Sequence, residues 1–278
     1  MGNINFIVYA PGYTDRSGGV IALHKLADIL SDLGENSYIY ADSTFTNNKA
    51  TLISESTFLE YDQRNTMVIY PEITVGNPIQ CNYVTRWLLY TPGYHGGDGI
   101  YGSNDLIYKY YDYFKAPDES KVSGELRTFN LKLDKFYNKN NNRSGECFII
   151  KKGKAKIQNK HSHDSLNLDH YISDDYLIEV FNTKERFISY DSMTFHLQQA
   201  ALCGCIPIVI PDENVNKEEF VRKAPVNKYG IAYGFEDIEY AKSTLHLVKP
   251  YLESMEQESI TLIKNYIDHC YLHMNISK

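Results

Sequence analysis

Residues 186–212 read RFISYDSMTFHLQQAALCGCIPIVIPD, and the order of apolar and polar runs in this stretch decides the fold class. Residues 187–190 have the length and composition of a buried strand, and Asp191-Ser192-Met193-Thr194 forms a polar turn. Residues 195–203 read as a helix containing the small residues Ala200 and Ala201, which Gly204 ends before a second, wholly apolar strand at 206–210. Apolar runs on either side of a helix predict parallel strands covered on both faces. Ligands of such sheets sit beyond the carboxyl ends of the strands, where residues 191–194 fall. The free N–H groups of a helix start there attract an anion. The stretch therefore predicts an α/β protein with a phosphate-bearing ligand.

The same grammar extends to both ends of the chain. Residues 4–10 form an apolar first strand, residues 11–17 a loop, and Gly18-Gly19 opens a helix with Val20, Leu23, Leu26, Ala27, Leu30 and Leu33 at helical spacing. Gly34 ends that helix. Further strands are expected at 37–41, 67–71, 83–90, 147–150 and 231–234, and a helix around 174–181. Residues 138–145, NKNNNRSG, are polar and rich in turn formers, the composition of a linker. They divide the chain into halves at 1–143 and 144–278. Residues 236–273 read as mostly amphipathic helix, broken at Pro250 and packing back toward the first half.

Composition bounds the function. A chain of 278 residues suits two domains rather than one core. The net charge of −7 argues against general nucleic-acid binding, so an anionic ligand must meet a local basic patch. The 24 tyrosines, clustered for example at 108–113, fit packing and wet surface first and sugar stacking second. Five scattered cysteines give no disulfide framework, which suits a reducing cytoplasm; Cys203 and Cys205 read as small packing residues. No run reaches the length of a membrane span, and residues 1–10 lack the features of a signal peptide.

Three places carry chemistry. The loop 14–19 pairs Gly18 and Gly19 at a helix start, which suits close approach to a ligand and equally an ordinary tight turn. The run Lys151-Lys152-Gly153-Lys154-Ala155-Lys156 sets four lysines at a strand's carboxyl end, as a diphosphate cradle would. Asp191 and Gln199 stand eight residues apart across the turn into a helix. They could face one pocket and bind sugar hydroxyls, or Asp191 could serve as a helix N-cap. Asp174-Asp175 reads as a surface helix start, and His161-Ser162-His163-Asp164 lacks a full metal-ligand set.

These residues resemble the retaining nucleotide-sugar glycosyltransferases of the GT-B fold, the group that includes glycogen and sucrose synthases. The match lies in Ser17-Gly18-Gly19-Val20, in Lys151 or Lys152 with Lys156, and in Asp191-x7-Gln199 followed by the small-residue helix and Gly204-Cys205-Ile206-Pro207-Ile208-Val209. Residues 70–78, 86–89 and Pro92-Gly93 look like bacterial and viral glycan-assembly transferases of that fold. The resemblance implies two Rossmann-like domains whose parallel sheets face a central cleft. It implies a metal-independent sugar transfer, without cofactor, from a nucleoside-diphosphate sugar to a glycan or lipid-linked acceptor, in the cytoplasm or at the inner face of a membrane. The implied catalytic residues are Asp191, Lys151 and Lys156. Gly18, Gly19, Lys152, Ser192, Thr194 and Gln199 would bind the donor, and Arg16, Glu72, Arg86 and His95 the acceptor.

The departures are specific. An aspartate and an amide stand where the family carries two glutamates, and lysines stand where it often carries arginine. Gln199 would hold a ribose hydroxyl as a neutral group, more weakly than a carboxylate. The chain is short for the fold, which implies trimmed peripheral elements. Alternatives are a catalytically silent nucleotide- or glycan-binding protein, and an epimerase or hydrolase of the same fold using Glu72 and Asp98. A dinucleotide dehydrogenase is disfavoured, because no G-x-G-x-x-G follows a strand.

Overall fold

The computed structural model describes residues 3–15, 17–45, 47–54, 62–129, 131–156, 158–170 and 173–277. The chain divides into two compact units, residues 1–130 with 256–278, and residues 131–255. In the first unit the order is β1 (Asn5–Tyr9), α1 (Gly18–Asp32), β2 (Asn36–Tyr40), β3 (Thr51–Ile53), β4 (Thr66–Pro71), β5 (Tyr83–Leu88), β6 (Leu106–Lys109) and β7 (Val122–Glu125). Then follow β8 (Glu146–Ile149), β9 (Leu166–Asn167), α2 (Asp174–Thr183), β10 (Arg186–Ser189), α3 (His196–Leu202), β11 (Ile206–Val209), α4 (Lys217–Lys223), β12 (Ala232–Tyr233), α5 (Ile238–Thr244) and α6 (Val248–His273). The fold is α/β, as the apolar runs predict.

Among the described residues each unit holds one wholly parallel sheet. The first has seven strands in the order β3-β2-β1-β4-β5-β6-β7. Its direction of winding reverses beside β1, with β2 on one side and β4 on the other, which makes the β1/β4 boundary the switch point of a Rossmann-like sheet. Alternate β1 residues explain its burial. Ile4, Phe6 and Val8 join α1 and the later turns of α6 in one core, while Ile7 packs on the opposite face with Val68, Tyr70 and Val84. α1 starts where Ser17 Oγ accepts the Val20 N–H at 3.4 Å, and stops at Gly34, whose φ of 87° a side chain would oppose.

The end of α6 belongs to this first core. Ile263, Tyr266, Ile267, Cys270 and Tyr271 are buried there, and the Tyr266 hydroxyl donates to Thr85 Oγ1 at 3.0 Å. Helix breaking falls before Pro250, not at it. A 3-10 turn at Leu245–Leu247 separates α5 from α6, and Pro250 sits in the first turn of α6, where its missing N–H costs nothing.

The second unit carries five strands in the order β12-β11-β10-β8-β9. Its switch point lies between β8 and β10. The turn-rich segment 138–145 belongs to this unit and is bolted to it. Arg143 donates to the carbonyls of Phe181 at 2.5 Å, Lys184 at 3.2 Å, and Cys203, while the Lys139 N–H reaches Asn182 Oδ1 at 2.7 Å. All five cysteines are free and buried. Among the described residues no helix is long and apolar enough to cross a membrane.

Candidate functional site

The carboxyl ends of β8 and β10, at the switch point of the second sheet, carry a connected group of polar side chains. Past β8 the chain turns sharply because Asp169 Oδ1, just beyond β9, accepts the N–H groups of both Ile150 (2.7 Å) and Lys151 (3.0 Å). Lys151 takes a φ of 39°, a left-handed conformation that costs a side-chain-bearing residue about 1 kcal/mol or more. Gly153 then lets the loop press onto the end of β10, since a Cβ at this position would lie 2.2 Å from the Tyr190 carbonyl oxygen.

That turn delivers the Lys151 ammonium to the first residue of α3. Lys151 Nζ lies 2.7 Å from His196 Nε2, and His196 Nδ1 lies 2.7 Å from Gln199 Oε1. An ammonium only donates, so Nε2 must accept, and the ring proton of the neutral imidazole therefore resides on Nδ1 and points at the amide oxygen. The chain runs one way, from lysine through histidine to glutamine. Burial first, and then the Lys151 charge, push the His196 pKa down to about 4, against the pull of Gln199 and Asp191. Desolvation also lowers the pKa of Lys151, while the charges of Asp191 and Asp169 oppose that and Lys152 adds to it.

Asp191 is buried at the end of β10, and its Oδ1 accepts the Met193 N–H at 3.0 Å. It does not cap α3: Phe195 stands at the N-cap, without a side-chain bond, and Thr194 Oγ1 accepts the His196 N–H at 3.3 Å. Ser192 and Thr194 are half-buried beside it. Lys152 is exposed next to Lys151. Lys156 lies apart from this group, at the end of β11, where its ammonium meets Asp212 Oδ1 at 2.7 Å and the Ile210 carbonyl at 2.6 Å. The structure thus joins Lys151, Asp191 and Gln199 around His196 and ties Lys156 to a carboxylate.

The remaining expected residues belong to the first unit. Gly18 and Gly19 are the first two residues of α1, and a Cβ on Gly19 would meet only Leu89, at ordinary contact distance. Glu72 is buried. Its Oε2 accepts the Leu89 N–H at 3.0 Å, and desolvation raises its pKa against those backbone bonds. Arg86 is buried between the rings of Tyr70 and Tyr101 and donates to Asp105 (2.7 Å), Thr74 O (3.3 Å) and Gly76 O (2.6 Å). Both are engaged within the protein. His95 is exposed beside Tyr90 and Tyr94. Arg16 lies outside the described residues.

Two members of the site escaped sequence reasoning. His196 looked like a helix position of no chemical note, and Asp169 stood in a loop with no spacing to mark it. His161, by contrast, stacks on Phe148 at 3.7 Å and bonds the Tyr190 hydroxyl. Among the described residues no three His, Cys, Asp or Glu side chains are grouped to hold a metal. The sequence matches no protein-family model and no curated protein.

Proposed function

We propose that the protein is a nucleotide-sugar glycosyltransferase, its two parallel sheets the two halves of a GT-B enzyme. The observation that carries this reading is the Lys151–His196–Gln199 chain beside Asp191, at the switch point of the second sheet. In this reading the donor's diphosphate meets Lys151 and Lys152. As the bond between sugar and phosphate breaks, negative charge grows on the departing diphosphate, and a preset ammonium stabilises that charge without reorganising. In this reading His196 fixes where the ammonium stands, and Asp191 accepts hydroxyls of the transferred sugar.

Incubation with a panel of labelled UDP-, GDP- and TDP-sugars and a mixed glycan acceptor tests the reading. Transfer that Lys151→Ala abolishes supports it; absence of both binding and transfer across the panel refutes it. A second reading, a binding protein without turnover, is favoured by one observation: Lys156 is held by Asp212 rather than turned toward Lys151. Nucleotide-sugar binding without release of nucleotide would select it.

A further inference from the structure

The edge strand β9 ends in a side chain that takes over from its backbone. Leu166 and Asn167 are the register partners of Cys147 and Phe148, and the Leu168 N–H continues the ladder to the Phe148 carbonyl at 2.8 Å. In a longer parallel ladder the Ile150 N–H would go to a β9 carbonyl. Instead the Asp169 N–H turns back to Asn167 Oδ1 at 2.8 Å, and Asp169 Oδ1 accepts the N–H groups of Ile150 (2.7 Å) and Lys151 (3.0 Å). Ile150 is right-handed, with φ −107° and ψ −54°, and Lys151 left-handed, with φ 39°. Successive N–H groups in that order of conformations form a concave nest that holds an anion. Here the anion is the chain's own carboxylate.

Two consequences follow for the site at the end of β8. Lysine has no preference for a left-handed backbone, so the conformation persists because one oxygen satisfies both amides together. From that backbone the Lys151 side chain reaches His196 Nε2 at 2.7 Å. The filled nest also leaves neither amide free for a second anion.

We propose that Asp169 is the positioning residue of this site: it fills the nest, fixes the backbone of Lys151 and so aims the ammonium at His196, where an incoming anion meets the ammonium and not the backbone amides. That the anion is a donor's diphosphate rests on the sugar-transfer reading; the aiming of Lys151 does not.

The His196 ring reports where the ammonium stands. Its pKa lies at about 4 through burial first and the Lys151 charge second, against Gln199, Asp191 and Asp174. Asp169 is not among these causes, so a change there reaches the ring through Lys151. NMR titration of the histidine ring protons in the full chain tests the proposal, with His196→Gln to assign the signal. In Asp169→Ala the nest empties and the ammonium leaves, so the His196 titration should move up. In Asp169→Asn it should stay, because the amide oxygen still accepts both N–H groups. Asp169→Glu keeps the charge but carries its oxygens one methylene too far. It should behave like Asp169→Ala, and it serves in place of that variant should the latter fail to fold.

Pyrophosphate affinity, measured by calorimetry, should follow the same order, about tenfold or more weaker in Asp169→Ala and within about threefold of wild type in Asp169→Asn. A merely structural role would lower the denaturation midpoint without moving the ring. An unmoved His196 titration in Asp169→Ala and Asp169→Glu, or equal changes in Asp169→Asn and Asp169→Ala, would overturn the proposal. So would a wild type that binds no pyrophosphate, or tighter binding in Asp169→Ala, in which the emptied nest takes the phosphate. The expected shifts in a protein that turns over no nucleotide sugar would uphold the positioning and sink only the transfer reading.

Discussion

Lys151 Nζ and His196 Nε2 stand 2.7 Å apart, a cation facing a ring whose acceptor nitrogen is fixed by Gln199. The contact joins the loop after β8 to the helix after β10, the two elements that flank the switch point of the second sheet. A lysine in this place is partly desolvated, and among the described residues no carboxylate forms an ion pair with it, although the charges of Asp191 and Asp169 act on it from farther off.

Inorganic pyrophosphate is therefore expected to bind the protein, and Lys151→Ala to weaken it about tenfold or more, the effect of one charge-assisted bond. Lys156→Ala should change it far less, because Asp212 already neutralises that ammonium. Titration calorimetry on the two variants checks the contrast, and equal losses would contradict it.

Stability should fall as the solution is acidified from about pH 6.5 to about pH 4. The His196 pKa is depressed to about 4 in the folded protein, so over that interval the unfolded chain binds a proton that the folded one refuses. The contribution is fully present above the unfolded value, amounts to at most about 3 kcal/mol, and is lost below the folded value. Chemical denaturation of wild type and His196→Gln at a series of pH values measures it: the gap between the two curves should narrow across this window.

Gly153→Ala should destabilise the protein by about 1–3 kcal/mol, the usual cost of overpacking, because the new methyl would collide with the Tyr190 carbonyl. The same change should move the Lys151 loop off β10 and weaken pyrophosphate binding. A denaturation midpoint equal to that of wild type would show that the loop does not press on β10.

Arg86→Ala should cost about 3–5 kcal/mol, since it leaves the carboxylate of Asp105 without its buried partner. Arg86→Lys should recover only part of this, because an ammonium cannot fork to Asp105, Thr74 and Gly76 together. Urea denaturation gives both values. A variant that keeps full stability but loses activity would return Arg86 to the acceptor role that its sequence position suggested.

The central strands were legible because burial on both faces leaves a continuous apolar run, as in β1, β4, β10 and β11. β3, β6, β7 and β9 were not: TLI and LN are too short for a pattern, and LIYK and VSGE carry polar residues that break an apolar run. Segment 138–145 read as a linker by composition alone; the carbonyls that Arg143 collects come from two distant places in the chain, the end of α2 and the end of α3, and no spacing announces them. Lys151, Asp191 and Gln199 could be grouped because each follows a strand that the sequence reveals. His196 could not, because its importance comes from the strained turn at Lys151, which only the Asp169 carboxylate and Gly153 explain.

The burial of Tyr266 and Cys270 among Phe6, Val8 and Leu26 has a consequence for biosynthesis. The ribosome releases the opening sheet long before it makes the helical segment that seals one flank of it. Residues 131–255 are contiguous and can condense as soon as they emerge, whereas the earlier-made portion waits with an oily flank uncovered. The order of maturation is thus the reverse of the order of translation, and that waiting interval is when a chaperone would be needed most.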